Sequence, residues 1–118
     1  MIWSIRDRRT FDELVRRGSR VRTATLWCTC LPLPESTPPR VAFAIGRAVG
    51  SAVVRNRVRR RLRMLISAEQ LPPGLYLWGA RPPVTKHTFE ELRMEVQTLC
   101  ERIRAAQIRA AAQIRGVT

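Results

Sequence analysis

Between Ser36 and Ala68 there is not one aspartate or glutamate, and the whole 118-residue chain holds one lysine, one histidine and three cysteines. A protein that cleaves phosphodiesters by itself needs carboxylates to hold a divalent metal, so no catalytic residue is assigned here. Asp12 and Glu13 read as first-turn charges that favour a helix dipole. Cys28, Cys30 and Cys100 form no C-x-x-C pair and have only His87 for company, which excludes a four-ligand zinc site on spacing. They read as core thiols of a reducing compartment, and His87 reads as a solvated loop residue. Long apolar runs are missing too. The longest uncharged stretch, Thr23 to Pro34, has twelve residues and two prolines, against about 20 apolar residues for a membrane span. Arg6, Asp7, Arg8 and Arg9 break up the N-terminus before a signal-peptide core accumulates. The expectation is a cytoplasmic protein with no membrane partner.

What is present is positive charge. Twenty-two Lys plus Arg against nine Asp plus Glu leave a net +13, and 21 of the 22 cations are arginine, Lys86 being the exception. The guanidinium fork grips phosphate through two parallel hydrogen bonds and stacks on bases, which an ammonium cannot do. The expected partner is a polyanion.

With 45% apolar residues the chain is long enough for one cored domain. Thr10-Phe11-Asp12-Glu13 has the form of a capping box and predicts a helix over 10–17 that stops at Gly18. Val21–Leu31 predicts a strand, closed by a loop with Pro32, Pro34, Pro38 and Pro39, and Val41–Ile45 a second strand. Ser51 is the expected cap of a helix reaching Ile66. Leu75–Trp78 predicts a strand, and Thr88-Phe89-Glu90-Glu91 caps a last helix striped by Leu92, Val96, Leu99 and Ile103. The expected class is α/β (α+β): a two-layer sandwich of helices on a mixed sheet, one domain over 1–106. Residues 107–118 are expected to form a helical extension or a frayed tail.

Arg40 to Arg63 holds eight arginines. On the 51–66 helix Val54, Val58, Leu62, Leu65 and Ile66 share one arc and form the expected core face. Arg55, Arg59 and Arg63 run along its border at i, i+4, i+8, while Asn56, Arg57, Arg60 and Arg61 point farther outward. Each like-charge i, i+4 pair costs an isolated helix about 0.2–0.5 kcal/mol, a cost that a bound polyanion removes.

The segment Gly46-Arg47-Ala48-Val49-Gly50-Ser51-Ala52-Val53-Val54-Arg55-Asn56-Arg57-Val58-Arg59-Arg60-Arg61-Leu62-Arg63 closely resembles the RNR signature of bacterial ribonuclease P protein subunits. The likeness extends to Arg8-Arg9-Thr10-Phe11, Gly18, Leu71-Pro72-Pro73-Gly74 and Thr88-Phe89-Glu90-Glu91-Leu92, covering about residues 4–106. It implies an α-β-β-β-α-β-α fold with a left-handed βαβ crossover, a hand rare elsewhere. It also implies a function: the accessory subunit of an RNA-based endoribonuclease, a hydrolase whose RNA removes the 5′ leader of precursor tRNA with Mg²⁺ held mainly by that RNA. By motif position Arg47, Asn56, Arg57, Arg60 and Arg61 carry over to binding of the RNA subunit. Phe11, Arg55, Arg59 and Arg63 carry over to the cleft that holds the single-stranded leader. The chain departs from the family pattern at Val15, Thr29, Ala48, Ser51 and Met64. No obligate protein partner is implied.

Two other classes share the charge. A general RNA chaperone or ribosome-associated protein would bind RNA without regard to a leader. A duplex-DNA reader would carry Asn or Gln among the arginines of a recognition helix, and only Asn56 qualifies. Trp3, Trp27 and Trp78 are candidates for base stacking or for packing on a sheet.

Overall fold

A computed structural model describes residues 3–34 and 37–116, with side chains described as far as Arg109. It shows β1 (Trp3–Ser4), α1 (Arg8–Arg17), β2 (Ser19–Arg22), β3 (Leu26–Pro32), β4 (Arg40–Ala44), α2 (Ala52–Ala68), β5 (Gly74–Ala80) and α3 (Phe89–Gly116), with 3-10 turns at Arg47–Val49 and Pro82–Lys86. The strands form one mixed sheet in the order β1-β4-β5-β3-β2. β4 and β5 are parallel neighbours joined through α2, and β5–β3 and β3–β2 are antiparallel.

The expected α+β class with a mixed sheet is present, and two elements differ from the sequence reading. The predicted strand over 21–31 is a hairpin: β2 and β3 fold back on each other around Thr23-Ala24-Thr25, pairing Arg22 with Trp27 and Ser19 with Cys30. β-branched residues across the turn hide it from a propensity reading. β1, two residues long, pairs with Arg40 and Val41 and is too short to leave a period in the sequence.

β5, Gly74-Leu75-Tyr76-Leu77-Trp78-Gly79-Ala80, is buried on both faces up to Gly79, which is why it reads as a continuous apolar run. On one face Cys28, Cys30, Val41, Tyr76 and Trp78 pack under α2 and α3. Val58, Leu62, Leu65 and Ile66 of α2 and Leu92, Val96, Leu99 and Ile103 of α3 close this core, as the helical spacing predicts. Cys28, Cys30 and Cys100 are buried free thiols, and burial pushes all three up, Cys100 to about 12. The opposite face carries α1, where Leu14 packs on Leu75 and Leu77 with Ile5, Phe11, Trp27, Leu31, Leu33 and Ala42 around them.

The helix caps differ in how well the sequence shows them. Ser51 caps α2, accepting from the Val54 N–H at 3.3 Å. Thr88 and Glu91 cap α3 reciprocally, at 2.8 and 3.1 Å. α1 is not capped by Thr10 as its capping-box form predicts. Asp7 is the cap, accepting from both the amide (2.9 Å) and the hydroxyl (2.6 Å) of Thr10, which holds its carboxyl below the ordinary range. Glu13 instead accepts from Arg17 at 2.7 Å. Asp7→Ala is therefore expected to lower Tm by a few degrees, and Glu13→Ala to leave it near the native value; thermal unfolding of the two variants reads the difference.

α3 continues as helix past residue 106 to Gly116. Gln107 donates to the Tyr76 hydroxyl at 3.2 Å, and Arg104 binds the Glu69 carbonyl. Of the expected tail over 107–118, Val117 and Thr118 lie outside the described residues.

Candidate nucleic-acid interface

Two independent chain segments meet along α2: the 3-10 turn and glycines that enter it, and strand β4, which β1 covers only at Arg40 and Val41. Gly50 sits at φ 154°, where a side chain would also collide with Val54. This turns the chain sharply into Ser51 and brings the exposed Arg47 to the N-terminal end of the helix.

The arginines of α2 divide as their spacing predicts, with the exception of Arg61. Arg55 and Arg59 are half-buried and Arg63 is exposed. The Arg63 guanidinium lies 5.3 Å from the centre of the Phe43 ring on β4, so the Arg63 end of this row flanks the part of β4 that β1, paired only with Arg40 and Val41, leaves uncovered. The Arg55 Nε is buried and finds no hydrogen-bond partner among the described residues. Asn56, Arg57 and Arg60 are exposed on the far side. Arg61 departs from its expected outward position: it is half-buried and, with Arg57, lines a cavity of about 180 Å³ against Val84, Thr85 and His87. Arg59 donates to the Asn56 side-chain oxygen at 2.7 Å, which ties the two rows together, a link that a helical wheel does not show.

The arginines of this region have no acidic partner among the described residues. Among the described residues the ion pairs join Arg8 to Asp12, Arg17 to Glu13, Arg93 to Glu90, Arg104 to Glu69 and His87 to Glu95. None involves an arginine between Arg40 and Arg63. Phe11 is half-buried on α1, on the sheet face opposite α2, in the cluster that includes Trp27 and Ala42. Thr29, at 8% exposure, is closed under the α1 end of that face, whereas Ala44 and Val15 are exposed.

One feature of this region departs from the sequence reading and a second settles an alternative it left open. His87 is not a solvated loop residue. Its side chain is 24% exposed and its Nε2 lies 2.9 Å from Glu95, which also accepts from the Thr23 hydroxyl (2.6 Å), the Thr25 amide (2.8 Å) and the Thr25 hydroxyl (2.7 Å). This clamp fastens the β2–β3 turn to α3. Its trace in the sequence is an acid, Glu95, set between Leu92 and Val96 of the buried stripe. The second feature is Trp27. Its ring lies directly over Gly79, where any Cβ would collide with it, and the Arg20 guanidinium covers it 4.2 Å from the ring centre. Trp78 is wholly buried, and Trp3 is exposed beside Arg40, whose guanidinium lies 5.9 Å from its ring.

Among the described residues no group of three or more His, Cys, Asp or Glu is placed to hold a metal ion, and no helix is long and apolar enough to cross a membrane.

The same arrangement of strands and helices occurs in solved structures. The RNase P protein of Staphylococcus aureus aligns with a TM-score of 0.77 over 86% of this chain and 94% of its own, at 16% identity. The RNase P protein of Thermotoga maritima gives 0.74 over 84% and 96%, at 18% identity. Those identities establish the fold alone, and sequence carries the rest. A ribonuclease P protein component of Nocardioides sp. is 39% identical over 107 residues, 86% of this chain and 91% of the relative. One from Symbiobacterium thermophilum is 35% identical over 85% and 90%. The family model for ribonuclease P matches residues 3–104, a span that takes in β1, the Arg rows of α2 and the buried stripe of α3, and the chain belongs to the ribonuclease P protein family.

Proposed function

We propose that this chain acts in tRNA 5′ maturation as the protein subunit of ribonuclease P, binding the catalytic RNA and the single-stranded 5′ leader of precursor tRNA. The observation that carries the reading is the set of arginines from Arg40 to Arg63 with no carboxylate partner among the described residues, while acids on α1 and α3 pair with neighbouring cations. An unpaired row of this kind stabilises neither the helix nor the core. It neutralises phosphates.

Arg47, Asn56, Arg57, Arg60 and Arg61 take the RNA subunit, a role that suits the exposed Asn56, Arg57 and Arg60 on the far side of α2 and the exposed Arg47 before it, with Arg61 half-buried beside them. Phe11, Arg55, Arg59 and Arg63 take the leader. Arg55 brings a half-buried guanidinium whose Nε has no hydrogen-bond partner among the described residues, and Phe11 offers a half-buried aromatic ring for stacking. Phosphate contacts fix register, and stacking grips unpaired bases without reading their sequence, as a subunit serving many precursor tRNAs requires. Cleavage belongs to the RNA, whose Mg²⁺ supplies the hydrolytic chemistry. The protein contributes binding and orientation and acts in the cytoplasm.

The experiment is 5′-leader cleavage of a precursor tRNA by a bacterial ribonuclease P RNA at low Mg²⁺, with and without this protein. Cleavage is expected with RNA and protein together, and none with protein alone. Tight binding of unrelated RNAs without rescue of cleavage would favour a general RNA chaperone instead. Affinity for the RNA is expected to fall with salt at a log–log slope of about 0.7–0.9 per phosphate neutralised.

A further inference from the structure

Beyond the motif, the α1 face of the sheet carries a second cluster of cations around an aromatic ring. Arg20 and Arg22 of β2 lie opposite Thr29 and Trp27 of β3, on the sheet face that carries α1. With Trp27, Leu26, Thr23 and Arg81 they line a cavity of about 150 Å³. Three observations show that the ring is held in place. Gly79 provides a floor with no side chain, and the ring occupies the space that a Cβ would fill. Arg20 covers the other face at 4.2 Å. Arg81 ties the rim together, its backbone N–H bonding the Thr25 carbonyl at 2.8 Å and its guanidinium the Ala24 carbonyl at 2.5 Å. No carboxylate pairs with Arg20, Arg22 or Arg81 among the described residues.

We propose that Trp27, seated on Gly79 and covered by Arg20, is a stacking subsite for one unpaired leader nucleotide, whose phosphate is taken by Arg22 and Arg81. A guanidinium sandwiched on an indole offers its outer plane to a base and its N–H edge to phosphate. Aromatic and guanidinium planes of this kind hold splayed RNA bases in single-strand recognition. Three cations around one ring favour a nucleotide over an apolar peptide. The subsite shares a sheet face and an apolar cluster with Phe11, so one strand can engage both. The inference rests on the reading that the leader crosses this face.

The test uses the assembled RNA–protein complex and precursor tRNAs carrying a single abasic residue at successive leader positions. With the native protein, one abasic position beyond those served by Phe11 is expected to weaken binding roughly tenfold, the stacking contribution of a single base. With Trp27→Ala that step disappears, because the partner ring is gone. Trp27→Phe restores part of it and controls for packing. Arg20→Gln, at an exposed residue, removes the outer plane without entering the core and is expected to weaken leader-bearing precursors severalfold while leaving leaderless tRNA unchanged. An abasic profile identical in native protein, Trp27→Ala and Arg20→Gln would overturn the subsite and leave the proposed function standing. Loss of all leader dependence in the native complex would overturn both.

Discussion

Arg57→Ala combined with Arg60→Ala is expected to weaken assembly with the ribonuclease P RNA roughly 100-fold, taking two charge-assisted hydrogen bonds at about 1.5 kcal/mol each. Arg55→Ala combined with Arg59→Ala is expected to leave assembly within a few fold and to weaken binding of leader-bearing precursor tRNA instead. Both pairs remove the same net charge from the same helix, so a difference between them reports position rather than overall electrostatics. Arg57 and Arg60 are exposed, and their loss leaves the core formed by Val58 and Leu62 intact. One coupling is built in. Arg59 binds Asn56, so Asn56→Ala is expected to produce a small loss in both assays. Filter binding to the RNA subunit, beside precursor binding by the assembled complex, reads both effects. Equal losses in both assays for both pairs would reject the division.

Glu95→Gln is expected to cost about 2 kcal/mol of stability at pH 7, because an amide places an N–H against donors that a carboxylate accepts. Burial works against ionisation of Glu95, but hydrogen bonds from Thr23, Thr25 and His87 outweigh it and hold the carboxyl below its ordinary 4.5. A carboxylate with a depressed folded pKa contributes its stability above the unfolded value. It loses that contribution as pH falls through the folded value. The gap between native protein and Glu95→Gln should therefore stay constant near neutrality and shrink once pH drops below 4.5. Urea unfolding at neutral and acid pH measures it, and a gap that persists undiminished in acid would show that the charge of Glu95 is not what matters. The same variant loosens the turn that positions Arg20, Arg22 and Trp27, so leader binding should weaken alongside stability.

What the sequence makes legible follows the range of the interactions. The buried stripes of α2 and α3 depend on local periodicity, so Val58, Leu62, Leu65, Leu92, Val96, Leu99 and Ile103 fall where spacing puts them. The division of Arg55, Arg59 and Arg63 from Asn56, Arg57 and Arg60 is legible for the same reason, since one helix carries both rows. The β2–β3 hairpin is not, because Thr23-Ala24-Thr25 lacks turn residues and is held by Glu95 from about seventy positions away. Asp7 displaces Thr10 as the cap of α1 because two acceptors compete within one turn and only geometry decides between them. Trp27 has two fates open to it in sequence, base stacking or packing on a sheet, and only the pairing of β3 with β5 shows that it lies opposite Gly79. Residues that act across the sheet stay hidden until strand order is known.

The central claim is that this protein adds affinity through the leader. The direct measurement compares binding of long-leader precursor tRNA and leaderless tRNA by the catalytic RNA alone and by the RNA assembled with this protein, at matched salt and Mg²⁺. The account predicts that the protein strengthens binding of the leader-bearing substrate and leaves the leaderless one nearly unchanged. An equal gain on both substrates would contradict it, reducing the Arg rows of α2 to a general phosphate clamp.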